Sequence, residues 1–293
     1  MNFKIIEKNI ISKENKIENC EDKIVYNNYF TCIIDGATTK SSVLYDNKKS
    51  GLLVSEILGK AVLNLEKTTS LSQAIDIFTK SMSDYYTINS LLENVKNNPL
   101  NRLTASIVIY SSYYNQIWMI GDCQCMVDNK LHTNNKLIDK LLSETRAFYI
   151  TKELIAGKTI DYLREFDTGR EFILPLLISQ SSFQNIRFDS EYSYCVVDGF
   201  PINISQVKVI ETKNSKSIIL ASDGYPKLFN TLNETETYLS YILENDPLCY
   251  NLYKSTKGKN INMISFDDRA YLRLEINIVH LADSTNNEDD GNK

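Results

Sequence analysis

Four stretches of this chain lead directly into an aspartate, and three of them are strongly apolar. A buried strand that ends this way places a carboxylate at the edge of a sheet, where the group loses much of its hydration. Several carboxylates at one edge would repel one another unless a cation or shared protons compensated. The four acids are Asp35 after Tyr29 to Ile34, Asp122 after Ile117 to Gly121, Asp223 after Ser217 to Ser222, and Asp267 after Asn262 to Phe266.

Each of these acids, taken alone, is also consistent with an ordinary turn, since Asp and Gly are favoured turn residues. Five of the ten glycines, however, lie directly beside an aspartate, and three of those pairs terminate apolar runs. The repetition favours a shared site over four unrelated turns. Hard divalent cations such as Mg²⁺ and Mn²⁺ are the usual compensation for clustered carboxylates.

Composition limits the class of protein. The chain has 293 residues, 43% hydrophobic and 24% charged, so it can bury a large core as one domain. A net charge of -5 and the lack of a basic stripe argue against a nucleic-acid partner. No run of about eighteen apolar residues is present to cross a membrane. The N-terminus carries no secretory signal, so we expect a cytoplasmic protein with six reduced cysteines.

Hydrophobic periodicity predicts strands, two helices, a meander, further helices and closing strands, an order typical of two antiparallel sheets with helices outside. Ser70 is a candidate N-cap for the second helix. Residues 167–190 fit no regular pattern and are interpreted as a surface flap, and the polar tail 283–293 is expected to be disordered. The predicted strands are 3–10, 23–34, 104–110, 116–122, 124–127, 192–197, 206–211, 217–221 and 271–276, and the predicted helices are 52–65, 71–96, 135–166 with a break near Gly157, and 234–244.

The order of the acidic motifs resembles that of the metal-dependent protein serine/threonine phosphatases of the 2C type, the PPM family. In that family a Glu-Asp pair precedes a strand that ends in Asp-Gly, similar to Glu21-Asp22 and Asp35-Gly36 here. A Gly-Asp-Ser-Arg-like element, a Ser-Asp-Gly and a late Asp-Asp or Asp-Asn follow in the same order. These three correspond to Gly121 to Gln124, Ser222 to Gly224 and Asp267-Asp268, so the resemblance spans residues 18–276.

The resemblance implies an α+β fold over residues 1–282, a four-layer αββα sandwich of two antiparallel sheets with helices outside. Its central cleft would hold two Mg²⁺ or Mn²⁺ ions and a third, looser ion at Asp122. Water bridging the two ions, rather than a side chain, would attack phosphoserine or phosphothreonine on a protein partner. The implied metal ligands are Asp35, Gly36 through its carbonyl, Asp122, Asp223 and Asp267, with Glu21, Asp22 and Asp268 around them.

The chain departs from the family pattern where the phosphate is bound. The family's phosphate-binding arginine, four residues before the glutamate, is replaced by Ile17, and Lys16, Lys40 and Arg102 are the candidate replacements. The glycines and the histidine that often follow the first Asp-Gly give way to Ala37-Thr38-Thr39. A metal-dependent protein phosphatase is nevertheless the leading hypothesis, because the acidic motifs keep the family's order. The alternatives are a pseudophosphatase that acts as a regulatory binding module, and a structural domain whose acids are turns; the oligomeric state stays open.

Overall fold

The computed structural model describes residues 3–41, 43, 45, 47–188 and 190–276, so the predicted tail 283–293 lies outside the described residues. Within the described part, ten strands and seven α-helices are present. The strands are β1 (Phe3–Ile11), β2 (Asp22–Tyr26), β3 (Phe30–Ala37), β4 (Thr104–Ser111), β5 (Gln116–Ile120), β6 (Gln124–Val127), β7 (Lys130–His132), β8 (Lys208–Glu211), β9 (Ser217–Ala221) and β10 (Arg269–Ile276). The helices are α1 (Ser50–Leu63), α2 (Leu71–Ile88), α3 (Leu92–Asn97), α4 (Leu137–Ile155), α5 (Ile160–Glu165), α6 (Thr168–Ser179) and α7 (Leu232–Asn245).

The strands form two five-stranded sheets, ordered β1-β10-β9-β6-β7 and β2-β3-β4-β5-β8, and every neighbouring pair is antiparallel. Their inner faces meet in one apolar core, in which Ile33 and Val108 from one sheet share a cluster with Leu220 and Leu272 from the other. Alternate residues of β3, such as Cys32 and Ile34, face the opposite way into a second cluster. Both faces of β3 are therefore covered, which explains its unbroken apolar sequence.

Helices cover the outer face of each sheet. The first two, α1 and α2, pack on β3 and β4, with Leu58 and Phe78 in the shared cluster. Leu239 of α7 packs with Ile219 and Tyr271 on the outer face of the other sheet. The predicted α+β fold, two antiparallel sheets with helices outside, is thereby confirmed. No helix in the described ranges is long and apolar enough to span a bilayer.

Helix boundaries follow local signals. Ser70 caps α2 as expected, since its Oγ accepts the N–H of Gln73 at 3.4 Å while Oε1 of Gln73 accepts the N–H of Ser70 at 2.9 Å. The helix ends at Ile88 rather than near Lys96, because Ser90 adopts a positive φ of 56° and α3 then starts in a new direction. The predicted break near Gly157 is confirmed, with φ at 92° between α4 and α5.

Three further element predictions are wrong. The single strand 23–34 is the hairpin β2–β3, because Asn27 Oδ1 accepts the N–H groups of Tyr29 and Phe30, each at 2.8 Å, and turns the chain. Residues 167–190 contain the helix α6 instead of an irregular flap; Pro175 within the helix obscured its pattern. Residues 192–197 form isolated bridges, such as Ala105 to Val197, and no strand.

Candidate active site

Strand topology brings the acids of the β2-β3-β4-β5-β8 sheet to one end of that sheet. Asp22 begins β2 and Asp35 lies near the end of β3, and the two are register partners because these strands run antiparallel. Asp35 also faces Ser106 on β4. The first half of the motif set therefore converges through hairpin pairing alone.

The acids of the other sheet lie at the corresponding end. Asp223 follows β9, and Asp267 precedes β10. Ala221 at the end of β9 pairs with Tyr271 near the start of β10, so the two acidic segments are neighbours. Ser222 holds this junction, since its Oγ accepts the N–H of Ala270 at 2.9 Å.

Asp122 lies where the chain crosses from one sheet to the other. The expected meander is broken here: β5 belongs to the sheet of Asp35, whereas β6 pairs with β9, with Gln124 opposite Ala221. Gly121 makes this crossover with a φ of 91°, and a Cβ at that position would lie 2.2 Å from Ser106 Oγ. The same Ser106 hydroxyl donates to Asp122 Oδ1, which fixes the carboxylate between the two sheets.

One cavity of about 680 Å³ opens at this end of the sandwich. All eight predicted metal ligands and neighbouring acids line it, and so does Lys40. Two predicted phosphate-binding residues, Lys16 and Arg102, are not among the lining residues. Arg102 instead donates from Nη1 to Asp198 Oδ2 at 3.0 Å and lies 3.9 Å from the ring centroid of Phe200, which makes it a packing residue. The predicted acids in the cavity lining are Glu21, Asp22, Asp35, Asp122, Asp223, Asp267 and Asp268, together with Gly36, and Asp139 and Asp167 line the cavity as well.

The centre of the cavity lacks positive charge. Burial raises the pKa of Asp35 and of Asp223 well above the ordinary carboxyl range, and the neighbouring carboxylates raise both further. Asp22 behaves alike: burial raises its pKa, and its Oδ2 has no hydrogen-bond partner among the described residues. Without a cation, desolvation and mutual repulsion favour the protonated forms of these carboxyl groups.

Lysines neutralise the outer acids. Lys136 Nζ lies 2.7 Å from Asp122 Oδ2, and Lys257 pairs with Asp267. Burial alone would raise the pKa of Asp122 and of Asp267, but these ammonium groups outweigh it and lower both. Lys13 lies 3.5 Å from Asp267 and 3.2 Å from a carboxylate oxygen of Asp268. Asp122 and Asp267 are therefore held as ionised partners of lysine.

Glu21 has a structural role beside the cavity. Its Oε1 accepts the N–H of Gly51 at the start of α1, at 3.1 Å, and its Oε2 accepts the hydroxyl of Thr38. Gly36 and Gly51 allow this approach, since a Cβ on Gly36 would lie 2.1 Å from the Gly51 carbonyl oxygen. The carboxylate thereby completes the N-terminus of α1, which carries partial positive charge.

Sequence reasoning missed several lining residues, namely Lys13, Lys136, Arg170 and Lys257. Lys257 was visible only as part of a short Lys-Gly-Lys loop, and Lys13 lies two residues beyond the end of β1. Neither position repeats the pattern of an apolar run followed by an acid. Only the fold brings these cations to the acids.

The donor chemistry of the cavity fits a hard divalent cation. Carboxylates and a backbone carbonyl are the oxygen ligands that Mg²⁺ and Mn²⁺ prefer, and Asp22 Oδ2 offers a buried oxygen without a partner. As they stand, no three His, Cys, Asp or Glu side chains in the described ranges form a set that could hold an ion. Asp122 and Asp267 are each engaged by a lysine. Ion binding therefore requires Lys136 and Lys257 to release their partners.

Comparison with known proteins gives only distant likenesses. No protein-family model and no curated protein matches the chain. The solved Mycobacterium tuberculosis serine/threonine phosphatase PstP/Ppp is 12% identical, with a TM-score of 0.46 over 94% of this chain and 99% of that one. The PstP catalytic domain in complex with two manganese ions is 11% identical, with a TM-score of 0.48 over 94% and 98% of the two chains. Staphylococcus aureus Stp1, a serine/threonine phosphatase, is 11% identical, with a TM-score of 0.46 over 94% and 95%. At these values the likenesses carry no weight for function, which has to be inferred from the site.

Proposed function

We propose that the protein is a metal-dependent phosphatase that hydrolyses phosphoserine and phosphothreonine on protein partners. The observation that supports this most is the convergence of acids from both sheets in one cavity whose centre lacks positive charge. Asp22 is buried there and Asp35 and Asp223 are half-buried, all three with raised pKa values, which is costly in a protein that has no cation to bind.

The proposed ion ligands are Asp35, the Gly36 carbonyl, Asp122, Asp223 and Asp267. Two Mg²⁺ or Mn²⁺ ions, when bound, would supply neutralising charge and activation of water. The chain itself would fix the carboxylates from two rigid sheets, as Ser106 does for Asp122 by a hydrogen bond.

Basic residues of the lining would bind the phosphoryl group. Lys40 lines the cavity and forms no ion pair with a described residue, so its ammonium group is free to approach an anion. Lys136 and Lys257, once released from their acids, would face the same space. Cationic side chains of this kind stabilise the charge on a phosphoryl group during transfer.

A second candidate function, the pseudophosphatase, is favoured by the lysine pairs. Lys136 and Lys257 already neutralise two proposed ligands, and Ile17, at the position of the family's arginine, is 61% exposed and away from the cavity lining. A protein of that kind would bind a partner through this surface without turnover.

The deciding experiment is phosphate release from a phosphothreonine peptide in Mn²⁺ and in EDTA. For a phosphatase we expect Mn²⁺-dependent turnover that falls at least about 100-fold in Asp223→Asn, on the scale of losing one group that stabilises developing charge. The exposed Asp76 has no partner among the described residues, and Asp76→Asn serves as the matched control.

Thermal unfolding separates the alternatives. Mn²⁺ at one hundred times its Kd should stabilise the wild type by about 2.7 kcal/mol, and Asp223→Asn should lose that gain. Stabilisation without turnover would identify the pseudophosphatase. Neither turnover nor stabilisation would mean that the acids are structural turns and would refute both functions.

A further inference from the structure

The outer wall of the cavity carries basic residues that have no acidic partner. Four of these residues line the cavity, and we refer to them together as the basic rim: Lys40, Lys140, Arg170 and Lys259. In the part of the chain that the structure describes, none of the four forms an ion pair. The Arg170 guanidinium donates only to the carbonyl oxygen of Thr256, at 2.8 Å.

The acids that line the same wall are already engaged. Asp139 lies 3.8 Å from Lys136 Nζ, and Asp167 accepts from Arg146 Nη2 at 2.7 Å. Lys40 is exposed, and desolvation by the surrounding residues together with the nearby cations Arg170, Lys136 and Lys257 outweighs Asp139 and lowers the pKa of Lys40 to about 8. The rim thus holds uncompensated positive charge on a chain whose net charge is -5.

The basic rim is attached to a fixed part of the fold. The segment 246–259 that carries Lys259 is held by Asp246, whose carboxylate accepts the N–H of Leu252 at 2.8 Å and of Asn251 at 2.9 Å. Arg164 donates to the carbonyl oxygen of Lys259 at 3.4 Å. Charges on a fixed wall keep their directions, so they discriminate among anions better than lysines on a mobile loop.

The rim and the carboxylate centre face one cavity from two sides. A phosphoryl group held through cations that Asp35 and Asp223 would bind leaves the rim facing the rest of the substrate. Charges separated by less than a Debye length, about 8 Å at physiological ionic strength, still attract. The rim therefore suits a second negative group on the same molecule.

We propose that the basic rim binds a second anion on the substrate, so that the preferred substrate is a phosphorylated segment with acidic side chains or a second phosphate close to the first. The substrate assignment rests on the proposed phosphatase function. Binding of an acidic phosphorylated segment does not, because it requires only the charges of the rim.

Peptide binding in EDTA tests the rim without turnover. Three fluorescent phosphothreonine peptides of equal length carry glutamine flanks, glutamate flanks or a second phosphothreonine, and their affinities are measured by anisotropy. Each exposed charge contact contributes up to about 1 kcal/mol, about fivefold in affinity. We expect the wild type to bind the two acidic peptides about three- to tenfold more tightly than the glutamine peptide. The preference should weaken as salt is raised.

The double variant Lys140→Gln/Lys259→Gln should reduce this preference below about twofold, by loss of both contacts. Lys60 is exposed on α1 and does not line the cavity, so Lys60→Gln is the matched control and should keep the preference. Tighter binding of the doubly phosphorylated peptide would assign the rim to a second phosphate, and tighter binding of the glutamate peptide to acidic side chains.

Equal binding of all three peptides by the wild type would overturn the proposal, and so would full preference in the double variant. Turnover of the same peptides in Mn²⁺ is then measured separately. A protein that prefers the acidic peptides in EDTA but hydrolyses none of them in Mn²⁺ would retain the rim and lose the phosphatase assignment.

Discussion

Replacing Arg146 by Met tests whether one buried guanidinium holds the far wall of the cavity in place. Arg146 lies on α4 and has no exposed surface. Its Nη1 donates to the carbonyl oxygens of Leu248 at 2.8 Å, Cys249 at 3.2 Å and Ser255 at 3.1 Å. Its Nη2 donates to Asp167 at 2.7 Å. A single side chain therefore joins α4, the start of α6 and the loop that carries the lysines of the cavity.

The expected cost follows from the groups that Met leaves without a donor. One buried unsatisfied acceptor costs about 1–3 kcal/mol, and breaking a buried ion pair costs about 3–5 kcal/mol. Asp167 is 22% exposed and keeps the N–H of Arg170 at 2.8 Å, so water can replace part of the loss there. We expect the free energy of unfolding of Arg146→Met to fall by about 4 kcal/mol.

Urea unfolding followed by Trp118, the single tryptophan, measures this change. Trp118 is buried in the helix-covered core, away from the substitution. Arg187 is exposed, and Arg187→Met is the matched control. A loss below about 1 kcal/mol, together with unchanged amide exchange over residues 248–258, would refute the role given to Arg146.

Two further changes test the acid response of the fold and the backbone packing at the site. At Glu236, burial raises the carboxyl pKa, but the hydrogen bonds from Arg269 and a tyrosine outweigh it and lower the pKa. Ionised Glu236 therefore stabilises the folded protein above its unfolded-state pKa, and this stabilisation is lost as the pH falls below about 4.5. The free energy of unfolding in urea should fall less for Glu236→Gln than for the wild type over that pH range. Gly36→Ala places a Cβ 2.1 Å from the Gly51 carbonyl oxygen and should cost about 3 kcal/mol in the same assay. Gly59→Ala meets a flexible lysine stem at 3.2 Å and Val25 Cγ2 at an ordinary contact distance of 3.4 Å, and should not carry this cost. Equal stabilities of the two alanine variants would contradict the packing account.

Features set by neighbouring residues were predictable from the sequence. The cap at Ser70 depends on a hydroxyl and on Gln73 three residues later, and both are visible in one window. Strands that are buried on both faces were visible in the sequence as apolar runs. The aspartates that follow these runs indicated that the strand ends meet in one site. All six cysteines are free and buried, in agreement with the predicted reduced cysteines.

Features set by topology were not predictable. The sequence of β5 and β6 reads as one meander, and only the pairing of Gln124 with Ala221 reveals that the chain changes sheets at Asp122. The ion pairs of Lys136 with Asp122 and of Lys257 with Asp267 join residues that are near in the chain but do not lie on one helix or strand, so no periodic pattern of the sequence places the partners together. A lysine in a loop has the same sequence signature whether it faces water or a carboxylate.

Charge balance at the inner cavity bears on the choice between an enzyme and a pseudoenzyme. Three lysines face seven acids, which leaves four carboxyl groups without an opposing charge; in the metal-free protein, desolvation and the neighbouring carboxylates raise the pKa of Asp22, Asp35 and Asp223 and so favour their neutral forms. A site neutralised by lysine alone would gain stability from replacing these three acids with neutral residues. Two divalent cations carry the four charges that are missing, and their binding would displace the protons. The presence of these central acids is therefore consistent with the proposed cation-binding site. The acids in this balance are Glu21, Asp22, Asp35, Asp122, Asp223, Asp267 and Asp268, and the lysines are Lys13, Lys136 and Lys257.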